Sequence, residues 1–167
     1  FLEYLKDSQH NTLVLAQMKN GDSGFWKKRK LVVHYFPWSL NNIIMKAFLI
    51  IAPISARKVD FLLTAIMKYS IVNYFNPDIV YGCWYYGAGV GKIFSIIHRC
   101  PLVVRMFGTG LTRYLPDFDL INDKKRRDKV YFDIFPFTLS SDAMVITEDG
   151  TNGDKVAIKL GYPISKL

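Results

Sequence analysis

Apolar residues along this chain fall into short unbroken runs separated by stretches in which they return every three or four positions, the pattern of strands alternating with helices. The clearest case lies between Pro77 and Gly110. Asp78–Tyr81 and Leu102–Met106 are rich in β-branched residues and bounded by Pro77, Gly82, Pro101 and Gly108, as expected for buried parallel strands. Between them Val90, Ile93, Phe94 and Ile97 recur at i, i+3, i+4 and i+7 and predict a helix with one apolar face. His98 and Arg99 suit its negative C-terminal end, and Pro101 prevents continuation. Strand, crossover helix and strand make one parallel βαβ unit with a right-handed crossover. Ligands bind at the carboxyl ends of such strands, which points to Tyr81–Gly89 and Phe107–Arg113.

The rest of the chain continues the alternation. Phe1–Lys6 reads as the end of a helix, Thr12–Gln17 and Leu31–Phe36 as strands, and Lys19–Gly24 as a polar loop leading into a basic run. A helix is predicted from Leu40 to Ala52, and another after Pro53 carries Val59, Leu62, Leu63 and Ile66 on one face until Asn76-Pro77 ends it. Asp117–Lys129 reads as loop then helix into Tyr131–Phe135, and Ala143–Thr147 as a further buried strand. In the last helix Thr151 and Asp154 resemble a capping box with Asp in place of Glu, while Gly161 and Pro163 fit its stop. The expected fold is α/β: a Rossmann-like open, mostly parallel sheet with helices on both faces.

Composition narrows this picture. At 167 residues, half of them hydrophobic and 15% aromatic, the chain suits a single domain with one core and leaves no room for long disorder. Cys83 and Cys100 form no CxxC pair, which argues against structural zinc and for a reduced compartment, hence a cytoplasmic protein, with the inner face of a membrane as one setting. The longest apolar stretch, Ile43–Ile54, is broken by Lys46 and Pro53 and falls short of the ~20 residues that span a bilayer. No signal peptide is readable, and both ends look cut, so the chain is expected to be a piece of a longer protein.

The net charge of +8 comes largely from Trp26-Lys27-Lys28-Arg29-Lys30 and Lys124–Arg127. Trp26, Lys27, Lys28, Arg29 and Lys30, beside Phe25 and ahead of the apolar helix, favour an anionic membrane surface; no RRM, KH or zinc-finger pattern supports nucleic acid. A solvated loop is the plain alternative for such a run.

Candidate chemistry lies at strand ends. Gly87-Ala88-Gly89-Val90-Gly91-Lys92 fails as a Walker loop, because Tyr86 and Ile93 stand where glycine and Ser or Thr are needed. It fails as a dinucleotide fingerprint too, since the third glycine falls on Lys92. Small residues there instead let the helix pack against the sheet and leave room for a ligand. Phe107-Gly108-Thr109-Gly110 follows a strand directly and offers free backbone N–H groups. Glu148-Asp149-Gly150-Thr151 holds the equivalent place after Ala143–Thr147, and Glu148 is one of only two glutamates, the other being Glu3. His10, His34 and His98 are isolated, with no Ser/His/Asp set, no HExxH and no metal cluster, so no catalytic residue is assigned and no cofactor is expected.

In order, Pro77-Asp78-Ile79-Val80, Trp84 with its small-residue helix, Pro101–Val104 with Phe107-Gly108-Thr109, Ser141–Thr147 and Lys159–Pro163 resemble the N-terminal domain of GT-B glycosyltransferases of the family 4 type. The resemblance covers Asn73 to Leu167 well and the earlier part in element order only. It implies half of a two-domain enzyme, lacking its first strand, whose absent C-terminal domain would bind the nucleotide-sugar donor. The chain would bind a glycan or lipid-linked acceptor through Tyr81, Trp84, Tyr85, Gly87, Gly108, Thr109, Gly110 and Arg113, with Glu148 and Asp149 near the cleft. Many relatives carry histidine where this chain has Phe107. Two other readings stay open: a non-catalytic Rossmann-like domain binding a small phosphorylated ligand, and a basic peripheral membrane adaptor.

Overall fold

The computed structural model describes residues 11–18, 24–28, 31–37, 50–147 and 150–167. The helix end at Phe1–Lys6, most of the helix expected at Leu40–Ala52, and Arg29, Lys30, Glu148 and Asp149 lie outside the described residues. Contacts divide the chain into two compact units, Phe1–Pro53 and Ile54–Leu167.

In the first unit β1 (Thr12–Met18), β2 (Gly24–Lys28) and β3 (Leu31–Pro37) form one sheet in the order β1-β3-β2. β1 runs parallel to β3 from the pair Thr12–Leu31 to Met18–Pro37. β2 runs antiparallel to β3, with Lys28 opposite Leu31 and Trp26 opposite Val33. The solvated loop, the plain alternative for the basic run, does not hold for Trp26, Lys27 and Lys28, which lie on a strand. β2 carries the β-forming Phe25 and Trp26 and ends only two residues before β3 begins, a separation that favours a hairpin over a free loop.

The second unit carries α1 (Pro53–Phe75), β4 (Val80–Cys83), α2 (Trp84–His98), β5 (Leu102–Met106), a 3-10 segment (Gly110–Asn122), α3 (Lys124–Lys129), α4 (Tyr131–Thr138), β6 (Ala143–Ile146) and α5 (Gly153–Lys159). β4, β5 and β6 form an open, wholly parallel sheet in that order. The architecture is therefore α/β, with a small open parallel sheet of Rossmann-like character. β4 begins two residues later than its apolar run suggests, because the ladder starts where β5 starts: Val80 pairs with Leu102 and its N–H donates to the Pro101 carbonyl at 2.9 Å. Asp142 holds the far side of β5, accepting from the Leu102 N–H at 2.9 Å.

Alternation along the strands sends Leu102, Val104, Met106 and Met144 to one face, where they pack with Ala88, Leu111, Ile121, Ile134, Phe137, Val156 and Ala157. Tyr81, Cys83, Arg105 and Val145 take the opposite face and remain half-buried or exposed. Cover on both faces was the expectation; within this unit the helices concentrate on one.

α1 departs from its sequence pattern. The stripe expected to be its apolar contact is exposed within the unit, with Leu62 at 50% and Ile66 at 61%. Its buried side is Ala56, Asp60, Phe61, Thr64, Ala65 and Val72. The reason is close approach to α2: a Cβ on Gly89 would lie 2.5 Å from the Phe61 ring, and the Thr64 hydroxyl meets the Tyr86 hydroxyl at 2.5 Å. Phe61 also packs edge-on to Tyr86, 5.4 Å between centroids, and stacks on Phe135 at 5.8 Å. In α2 itself the buried stripe is Ala88–Gly91, Phe94 and Ser95, which leaves Ile97 outside.

Two ends also differ in detail. Asp123 caps α3 by accepting from the Arg126 N–H at 3.0 Å, a signal buried in the charged run. Asn152, rather than Thr151, occupies the N-cap of α5, in a left-handed conformation without a side-chain cap bond of its own.

Candidate functional site

β5 ends at Met106, and the chain must turn away from the sheet at once. Gly108 makes that turn at φ 113°, a region open to glycine at little cost. Thr109 then caps the 3-10 segment, its Oγ1 accepting from the Leu111 N–H at 3.1 Å. That bond uses the oxygen and leaves the hydroxyl proton available for donation. The Thr112 hydroxyl lies against the carbonyl oxygens of Thr109 and Thr151 and thereby ties the loop after β5 to the loop before α5.

At the end of β4 the turn is made by a bulky residue. Trp84 opens α2 at φ 62°, a left-handed conformation that costs a non-glycine residue ~1–3 kcal/mol and that the surroundings must enforce. Its ring stacks on Phe107, 5.9 Å between centroids with the planes 23° apart. Trp84 is 44% exposed and Phe107 43%, so the pair presents apolar ring surface at the carboxyl edge of the sheet.

These elements enclose a cavity of about 180 Å³ lined by Trp84, Met106, Phe107, Gly108, Thr109, Gly110, Phe132, Asp133 and Thr151. Drug-sized ligands occupy ~300–1,000 Å³, so this volume suits a single ring with a few polar groups. A second hollow of about 410 Å³ lies beside it in sequence terms, at Ile146, Thr147, Gly150 and Asn152–Asp154.

Of the residues expected at the site, Trp84, Gly108, Thr109 and Gly110 are brought together around the first cavity. Tyr81, Tyr85, Gly87 and Arg113 do not line it. Tyr81 is exposed on β4, and Tyr85 is turned to Phe132, 5.5 Å between centroids, with the Arg57 guanidinium 5.8 Å from its ring. Gly87 supports the fold by lying against Gly82, and Arg113 stacks over Tyr114 at 4.9 Å. Phe132 and Asp133 were missed. They come from α4, about 25 residues after the glycine turn, and no local spacing links them to it.

Asp133 is the one carboxylate on the cavity wall among the described residues. The residue as a whole is exposed, yet burial of its carboxyl among neighbouring groups pushes the pKa up, while the Arg113 guanidinium pulls it down. The carboxyl's own surroundings govern the shift, so the upward direction stands. A raised folded value means that the folded chain holds this proton more tightly than the unfolded chain. Its contribution to stability is full below the ordinary aspartate range and is lost as pH rises through the folded value. Asp133→Asn should therefore gain on the parent chain as pH climbs through that window, read as urea midpoints at several pH values; a difference independent of pH would refute it.

No group of three or more His, Cys, Asp or Glu side chains that could hold a metal occurs among the described residues. No described helix is long and apolar enough to cross a membrane. No family model, curated protein or solved structure matches the chain.

Proposed function

We propose that this chain is the acceptor-side, N-terminal domain of a GT-B glycosyltransferase of the family 4 type, and that it positions a glycan or lipid-linked acceptor for transfer from a nucleotide-sugar. The observation that carries this reading is the cavity of Trp84, Phe107, Gly108, Thr109 and Asp133 at the carboxyl edge of a parallel sheet, where open α/β sheets bind their ligands. Stacked rings suit the apolar face of a sugar, and one carboxylate with the Thr109 hydroxyl, whose proton remains to be donated, suits its hydroxyl groups. Holding an acceptor hydroxyl in line removes much of the entropic barrier to transfer. Donor binding, and stabilisation of the departing diphosphate, belong to the second domain of such an enzyme. On this reading a membrane would be met by the basic β2 strand, as the place where a lipid-linked acceptor is presented.

Saturation-transfer NMR on the 167-residue chain provides the test. Mono- and disaccharides should bind with their ring protons facing Trp84, and Trp84→Ala should weaken them by about tenfold. Uridine and guanosine diphosphates should not displace them. Displacement by a nucleoside diphosphate would assign the cavity to a nucleotide and reject the acceptor role.

A further inference from the structure

Arg105 sits on the less covered face of the second sheet, one residue before the strand ends. Its partner across β4 is Cys83 and across β6 is Val145, so cation, thiol and aliphatic side chain lie in one row. The guanidinium packs over the Phe107 ring at 4.8 Å, and that ring in turn stacks on Trp84. One terminal nitrogen reaches the Thr147 hydroxyl at a long 3.5 Å, while Nε is buried with no hydrogen-bond partner. Among the described residues no carboxylate neutralises this group. The charge is felt locally: burial pushes the Cys83 thiol up, and Arg105 opposes that shift.

Arg105 is half-buried, and its Nε, out of reach of water and without a partner, is an idle donor. On a cation that no carboxylate among the described residues offsets, this is an unfavourable resting state that an anion on the remaining donors would relieve. The contact with Phe107 restrains the side chain, so less rotamer freedom remains to be lost when a carboxylate or phosphate arrives. Thr147 adds a hydroxyl on the same side. An unneutralised cation beside the Phe107 ring suits one ligand chemistry, an anionic group next to an aromatic surface.

We propose that Arg105 binds the anionic group, a carboxylate or a phosphate, of the sugar that stacks against Phe107 and Trp84; this deepens the acceptor role and rests on it. The acceptor is then an acidic saccharide or a sugar phosphate. Phe107 has two tasks, as a platform for the ring and as the surface that orients the cation.

The probes are methyl glucoside, methyl glucuronide and glucose 6-phosphate, titrated into the 167-residue chain and followed by NMR. One of the two anions should bind at least tenfold more tightly than the neutral glucoside, in keeping with a charged hydrogen bond. The glucuronide winning identifies a carboxylate, and the phosphate winning identifies a phosphate. Arg105→Gln should abolish the preference, Arg105→Lys should keep part of it, and the Arg105 Nε–H resonance of the parent chain should move on addition of the anion. That last readout needs no variant to fold. Equal affinity for all three probes, or a static Nε–H signal during anion binding, overturns the proposal while leaving the acceptor domain standing. Displacement of the sugars by nucleoside diphosphates removes the acceptor role by itself and is read in a separate experiment.

Discussion

Phe137→Ala should lower the unfolding free energy by about 3–5 kcal/mol, the cost of emptying a large aromatic site in a closed core. Phe137 is 2% exposed and is packed in the cluster with Leu102, Leu111, Ile121, Ile134, Met144 and Val156. Those neighbours come from β5, the 3-10 segment, α4, β6 and α5, so no single side chain can move in to fill the space. Residual cavity adds to the lost transfer energy for that reason. With a shift of roughly 2–8 °C per kcal/mol across domains of this size range, the melting temperature should fall by about 15 °C. Tyr74→Ala is the comparison: Tyr74 is 94% exposed, and its loss should stay within about 0.5 kcal/mol. Thermal melts followed by circular dichroism decide the matter, and similar losses for both variants would place Phe137 outside the core.

The parts of the fold that were legible in the sequence are those fixed by local punctuation. Pro77, Pro101 and Gly108 delimit β4 and β5, and between them the helical period marks α2, so the parallel unit can be read without tertiary information. Cavity residues Trp84, Gly108, Thr109 and Gly110 were legible for the same reason, since they follow directly from strand ends. The far wall was not. Phe132 and Asp133 reach the cavity only because α4 packs across it, and an Asp in the first turn of a helix reads as an ordinary N-terminal charge.

Helix α1 failed in the opposite way. Its strongest apolar stripe, Val59, Leu62, Leu63 and Ile66, is what periodicity selects, yet the buried side is built from Ala56, Thr64, Ala65 and Phe61, of which Phe61 and Thr64 meet α2. Hydrophobic ranking misses a contact whose basis is small size and one ring seated on a glycine. Likewise the charge of Lys27 and Lys28 hid a strand whose pairing partner, β3, supplies its reason to form. For the cavity wall and for α1 the deciding contact was distant in sequence or steric rather than apolar; for β2 it was backbone pairing with a neighbouring strand, which side-chain charge does not report.

Gly82→Ala is expected to be the most damaging single-methyl change in the unit, at about 2–3 kcal/mol. A Cβ at Gly82 would meet the Gly87 carbonyl oxygen at 2.6 Å and its carbon at 2.8 Å. Both are backbone atoms in the first turns of α2, so no side-chain rotation relieves the overlap. The helix would have to lift from the end of β4. Trp84 starts that helix, so the lift would also carry its ring away from Phe107 and widen the cavity. Gly89 offers a useful contrast, because there the obstacle is the Phe61 ring at 2.5 Å, which has some freedom to turn. Gly110→Ala should be almost silent in stability, with nothing within 4 Å of its added methyl. The expected order of unfolding midpoints is therefore parent and Gly110→Ala together, then Gly89→Ala, then Gly82→Ala, with saccharide binding weakened for the last beyond its loss of stability. Gly82→Ala melting with the parent would mean that α2 does not rest on β4 through Gly82 and Gly87, and the placement of Trp84 over Phe107 would lose its structural cause.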